Sequence, residues 1–131
     1  MSASRLVKAQ LVLPVRDLPE SCAWYARALG MQTVYVHSDQ VEDPTGNYAI
    51  LRRDGAEVHL LRDEQPRPHI WTTAGSGYLF LLVQGLEALC EQVQAAGISL
   101  TRGLQREAWG ARAFQLTDPS GNLILVAEDL G

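Results

Sequence analysis

Glu57 and His59 stand two positions apart in a run, Glu57–Leu61, with the residue types of a β-strand. Side chains alternate faces along a strand, so these two point the same way, and a carboxylate beside an imidazole is a general acid–base couple. Such a pair still needs a metal or an oxyanion-stabilising partner to do chemistry. The chain contains no Gly-x-Ser-x-Gly, no glycine-rich phosphate loop ahead of a helix and no His-Glu-x-x-His. Cys22 and Cys90 are 68 positions apart, with no Cys-x-x-Cys. Both fall on the apolar faces of expected helices, where an inert thiol is favoured over a nucleophile and a cysteine-rich zinc site or disulfide scaffold is disfavoured. His37, at a strand end, and His69, in a loop after Pro68, read as exposed or locally satisfied. The aromatic residues divide by context. Trp24 and Tyr25 suit core packing in a helix. Trp71, ahead of the small and polar residues 72–76, and Trp109, in Glu107-Ala108-Trp109-Gly110, fall in loops. There a large ring is either a plug over a sheet edge or a platform for a ligand.

The elements that must position these residues follow from periodicity. Leu6–Val15 reads as a strand. Asp17 caps a helix over Leu18–Leu29, with Pro19 tolerated in its first turn and Gly30 as its stop. Gln32–His37 and Tyr48–Arg52 read as strands, Asp54-Gly55 as a hairpin turn and Glu57–Leu61 as the returning strand. After the proline-stiffened linker around Gln65–Pro68 the order restarts. A strand is expected over Tyr78–Val83, a helix over Leu86–Ala96 stopped by Gly97, and strands over Ile98–Thr101, Ala113–Thr117 and Asn122–Ala127, the last two joined by Asp118-Pro119-Ser120-Gly121. Each half is βαβββ. The halves align at an offset of 68 through Val15/Val83, Leu18/Leu86 and Cys22/Cys90. By the final hairpin the offset is 66, so that Gly55 matches Gly121 and His59 matches Leu125.

The 131 residues are 47% hydrophobic and 20% charged, an ordinary globular balance with material for one core. A net charge of -4 is no footprint for binding nucleic-acid phosphates. No apolar run reaches the roughly 20 residues of a membrane span, and the N-terminus lacks a signal-peptide pattern, so a cytoplasmic protein without membrane or nucleic-acid partners is expected.

The strings Pro14-Val15-Arg16-Asp17-Leu18, Trp24-Tyr25, Leu29-Gly30, Trp109-Gly110, Phe114 and Asp118-Pro119-Ser120-Gly121-Asn122 resemble the glyoxalase/bleomycin-resistance/extradiol-dioxygenase group, the vicinal oxygen chelate superfamily, from about Val7 to Glu128. The resemblance implies an α+β domain over residues 1–131. Module one (about 6–62), a linker (63–76) and module two (about 77–128) would build an eight-stranded, half-open barrel-like sheet with helices outside and a cleft inside. Family enzymes hold a divalent metal in that cleft. The matching positions here are Gln10, His59, Tyr78 and Leu125, and Leu125 has no donor atom, so no metal or other cofactor is expected.

If those positions face inward, strand parity places Glu57, His59, Tyr78 and Phe80 in the cleft with Val12, Leu61 and Leu82. Tyr48-Ala49-Ile50-Leu51-Arg52-Arg53, the linker and the Glu-x-Trp-Gly loop are similar to bleomycin-resistance proteins, which implies a homodimer sequestering a bulky aromatic or cationic small molecule. The expected ligand-binding residues are Tyr48, Glu57, His59, Trp71, Tyr78, Phe80, Glu107 and Trp109, with none catalytic. Val34, Tyr35 and Val36 stand where such proteins tend to carry phenylalanines, which leaves the ligand's identity open. A glyoxalase-like lyase or dioxygenase-like enzyme with an atypical metal site is the alternative, and a regulatory or structural module a third.

Overall fold

The computed structural model describes residues 3–38, 46–63 and 73–130. Its elements run β1 (Leu11–Val15), α1 (Leu18–Leu29), β2 (Gln32–His37), β3 (Tyr48–Arg53), β4 (Ala56–Arg62), β5 (Tyr78–Val83), α2 (Leu86–Ala95), β6 (Arg102–Arg106), β7 (Arg112–Thr117) and β8 (Leu123–Glu128). The expected α+β class and its doubled βαβββ order are present. The eight strands form two four-stranded sheets, ordered β1-β4-β3-β2 and β5-β8-β7-β6, and the sheets do not close into a barrel. In each, the first strand lies parallel to the last and the remaining neighbours are antiparallel.

Local chemistry accounts for the punctuation. The Asp17 side chain accepts a hydrogen bond from the Glu20 N–H at 2.9 Å, capping α1. Gly30 ends it in the left-handed region, φ 67°, with its N–H bonded to the Ala26 carbonyl. Arg53 pairs with Ala56 across the Asp54-Gly55 turn, in which Asp54 takes φ 51°.

Two expected strands are corrected. β1 begins at Leu11, not Leu6, because its pairing with β4 starts at Leu11↔Val58, leaving Leu6 99% exposed. In module two, Ile98–Thr101 is not a strand. The Ile98 N–H bonds back to the Val93 carbonyl and its side chain is buried, which draws the apolar residues under α2. Pairing with β7 starts later, at Arg102↔Gln115.

One buried cluster joins both modules. Leu13, Tyr25, Leu51 and Leu60 of module one belong to the same core as Val93, Phe114, Leu116 and Ile124 of module two. Halves of this size bury too little surface alone, and a shared core meets that need. A polar latch fixes the junction. The Tyr25 hydroxyl donates to Asp118 Oδ2 at 2.8 Å. Asn122 Nδ2 donates to the Pro14 carbonyl at 2.8 Å and to Asp118 Oδ2 at 2.9 Å, while Asn122 Oδ1 accepts from the Gly77 N–H at 2.7 Å. The Arg16 N–H donates to Ser120 Oγ at 2.9 Å. The Asp-Pro-Ser-Gly-Asn turn of module two is thereby spent on holding β1 of module one. Gly75 and Gly77 permit the approach. A Cβ on Gly75 would stand 2.2 Å from the Ser120 carbonyl oxygen, and one on Gly77 2.5 Å from Leu13 Cδ2.

Candidate functional site

Each sheet packs one face into the shared core and leaves the other outside it. On the first sheet Ala49, Leu51, Val58 and Leu60 point into the core. The opposite parity brings Val12, Ile50 and His59 into line, with Arg52 opposite Glu57 and Tyr48 opposite Leu61. This face is ionised and hydrogen-bonded. His59 Nε2 lies 2.8 Å from Glu57 Oε2, and its Nδ1 lies 2.5 Å from the Tyr48 hydroxyl. The other Glu57 oxygen accepts from Arg52 Nε at 2.5 Å and from Lys8 Nζ at 3.4 Å. The His59 hydrogen bond, followed by that from Arg52, holds the Glu57 pKa down at about 2. His59 is only 8% exposed, so its ring is a buried connector between Tyr48 and Glu57. Burial, then the nearby Glu57 charge, pushes the Tyr48 phenol up from its ordinary value.

The equivalent face of the second sheet is apolar along β5 and β8, with Gln115 of β7 opposite Leu125 and Arg102 of β6 opposite Gln115. Phe80 pairs with Leu125 and Tyr78 with Leu123 along the β5–β8 ladder. Leu125, Ala113 and Ala127 form a small buried cluster of their own. Above them Tyr78, Phe80 and Leu82 are half-exposed. The Trp109 ring stands 6.3 Å from that of Phe80, tilted by 46°. Its loop is held by the Glu107 N–H on the Ala111 carbonyl, the Gly110 N–H on the Glu107 carbonyl and Arg106 Nη1 on the Gly110 carbonyl, with Gly110 at φ 103°.

A groove of about 810 Å³ runs along β5, bounded across from it by Ala9, Leu11 and the β3–β4 hairpin. Glu57 and Phe80 both line it. The structure therefore brings these two expected residues to one groove, with Tyr48 and His59 attached through Glu57 and Trp109 through Phe80. Tyr78 shares the Phe80 face but stands outside the groove lining. Glu107 forms an ion pair with Arg102. Trp71 lies outside the described residues, as do His69 and most of the linker. Both acidic residues expected to meet a cation are thus already paired with arginine.

Sequence reasoning missed those arginine partners and Lys8. The signal for Arg52 was available, because a two-residue turn at Asp54-Gly55 sets Arg52 opposite Glu57.

The four positions at which family enzymes hold a metal do not make a donor set here. Leu125 has no donor atom, and both His59 ring nitrogens are engaged, one by Tyr48 and one by Glu57. Among the described residues no group of three His, Cys, Asp or Glu side chains converges on a point that could hold an ion. The cysteines are unpaired, Cys90 buried and Cys22 half-buried, and burial raises both thiols. Among the described residues no helix is long and apolar enough to cross a membrane.

No curated protein matches the chain. Solved structures do. A mobile-metagenome protein of V. Pseudocholerae is 26% identical, with TM-score 0.71, over 100% of this chain and 98% of its own. A bleomycin resistance determinant encoded on the transposon Tn5 is 22% identical, with TM-score 0.73, over 96% and 100%. A bleomycin-binding protein, solved in complex with bleomycin, is 23% identical, with TM-score 0.71, over 95% and 99%. The last two identities speak to the fold. A family model matches residues 8–126, nearly the whole length, and with the doubled βαβββ order it shows that the chain belongs to the glyoxalase/bleomycin resistance protein/dioxygenase superfamily.

Proposed function

We propose that this protein binds and sequesters a bulky, antibiotic-type small molecule with aromatic or cationic groups, in the manner of bleomycin-resistance proteins and without metal chemistry. One observation carries the reading: Phe80 and Trp109, 48% and 54% exposed, lie ring to ring beside the groove. Exposing two large rings together costs solvation free energy that a flat ligand would recover. Stacking adds about 0.5–1.5 kcal/mol per aromatic pair beyond the area buried. A cationic arm would be met by the faces of these rings, since Glu57 and Glu107 are occupied by arginines. A homodimer in the cytoplasm belongs to the same proposal. Its support is the outer edge strands β2 and β6, each paired on one side within its sheet, together with the half-exposed apolar residues of β2 and β5.

The test is a tryptophan-fluorescence titration with bleomycin-class compounds, read alongside an assay for ligand turnover. Saturable, stoichiometric quenching without product, weakened about tenfold in Phe80→Ala, is the expected result. Unchanged emission up to high micromolar ligand would remove the antibiotic version, and a monomer in sedimentation at micromolar protein would remove the dimer. The second reading, an enzyme with an atypical site, draws on the Tyr48–His59–Glu57 chain. One tightly bound metal per chain by elemental analysis, lost in His59→Ala, would favour it.

A further inference from the structure

The hydrogen-bond polarity of the Tyr48–His59–Glu57 chain can be worked out from one end. Glu57 receives Arg52 Nε and Lys8 Nζ on one oxygen and faces His59 Nε2 with the other. An ionised carboxylate only accepts, so the proton of the neutral imidazole sits on Nε2. Nδ1 is then bare. Among the described residues it meets the Tyr48 hydroxyl, 2.5 Å away, which then donates to it. The phenolic proton is thereby committed to the buried ring, and the oxygen keeps only lone pairs. Tyr48 itself is partly exposed, on the face of its strand that carries Glu57 and His59.

We infer that Tyr48 is a specificity-determining residue of the binding face, an acceptor-only phenol that selects ligands presenting an N–H or O–H donor. The inference rests on the small-molecule binding reading above and names the polar group that the ligand must carry. The two sheets then divide the work. The Phe80 and Trp109 rings take the flat apolar part, and Tyr48 takes a donor such as an amide, an amine or an alcohol. Charge is compatible with that assignment, because Glu57 places negative potential at the phenol. A carbonyl or ether at the same place would meet lone pairs and lose its hydrogen bond to water without replacement.

Two measurements test it. Ring-nitrogen NMR shifts of His59 at about pH 8 should report a protonated Nε2 and a bare Nδ1. The opposite tautomer would overturn the inference without touching the binding reading. Ligand-observed NMR titrations then compare indole, which donates, with benzofuran, which has nearly the same shape and does not. Indole should bind about fivefold more tightly, the size of one net hydrogen bond. In Tyr48→Phe the preference should vanish while both probes still bind. His59→Phe should narrow it without erasing it, because the freed phenolic proton can then be donated to the benzofuran oxygen while the phenol oxygen still accepts from indole, which distinguishes polarity from mere shape, and circular dichroism would report whether either variant stays folded. Equal binding to the wild-type protein would overturn the inference alone. Binding of neither probe would overturn both it and the reading on which it rests.

Discussion

Replacing Asn122 by alanine tests how the two modules are held together. The side chain makes three hydrogen bonds, to the Gly77 N–H, the Pro14 carbonyl and Asp118 Oδ2. Their loss is unequal. The Gly77 N–H is left at the module junction without its acceptor, at about 1–3 kcal/mol. The Pro14 carbonyl still receives the Gly75 N–H at 3.3 Å, so its share is nearer the ~1 kcal/mol of an ordinary net bond. Asp118 Oδ2 keeps the Tyr25 hydroxyl, which softens the third loss. The total expected is about 2–5 kcal/mol, a large part of the roughly 5–15 kcal/mol by which a domain is stable. Urea denaturation read by circular dichroism measures it. Tyr25→Phe alone should cost about 1–2 kcal/mol, because Asn122 Nδ2 continues to serve Oδ2. With both changes that oxygen has no side-chain donor, so the double variant should lose about 1 kcal/mol more than the sum. A cost below 1 kcal/mol for Asn122→Ala, or strict additivity in the cycle, would refute the latch as the device that fixes the junction.

Gly75→Ala should be more damaging than an ordinary glycine substitution, because its Cβ would meet the Ser120 backbone oxygen at 2.2 Å and φ is +86°. A midpoint loss of more than about 8 °C in thermal unfolding is expected, corresponding to at least ~2 kcal/mol. Glu57 links stability to acid. Its folded pKa, about 2 against an ordinary 4.5, means that its contribution is fully present above about pH 4.5 and is lost as pH falls through about 2. Glu57→Gln should therefore flatten the stability profile across that interval in chemical denaturation at stepped pH, and an unchanged slope would refute the network. Phe80→Ala should weaken aromatic probes by about tenfold through lost stacking and area, measured by the same titrations, while Leu104→Ala on β6 should leave them within twofold.

Much of the framework was legible because its signals are local. Asp17, Gly30 and Asp54-Gly55 each act within a turn, and all appear where their chemistry places them. The two misplaced strands failed for a non-local reason. Leu6–Ala9 has strand composition but, among the described residues, no strand is paired with it, and Ile98–Leu100 has strand composition but is drawn into the core beneath α2. Strand parity put Glu57, His59, Tyr78 and Phe80 in the cleft, and of these Glu57 and Phe80 line the groove while His59 and Tyr78 share their strand faces outside its lining. It could not show that Glu57 and Glu107 are already ion-paired, since Lys8 and Glu57 are brought together by the fold and not by spacing. The Asp-Pro-Ser-Gly-Asn string was readable as a turn. Its work as a lock on Pro14 and Tyr25, 108 and 93 positions away, was not.

The duplication itself explains why a groove exists. Gly55 and Gly121 occupy matching hairpins, yet the hairpins have diverged in use. The second folds onto module one and closes the junction at Pro14, Gly75 and Gly77. The first leaves the Asp54 side chain in solvent and stands at the rim of the groove. A junction pinned at one end and free at the other must open away from the pin. The space therefore appears between Ala9 and Leu11 on one side and Leu79–Val83 on the other. The same divergence marks the outer faces of the two sheets. His59 and its counterpart Leu125 are both buried, one wired to Tyr48 and Glu57 and the other packed on Ala113 and Ala127. The two sheets thus present unlike outer faces, one hydrogen-bonded through His59 and one packed with apolar side chains around Leu125. A ligand sequestered across both faces, as proposed above, must be amphipathic, and exchanging His59 and Leu125 between the sheets should cost it recognition on each.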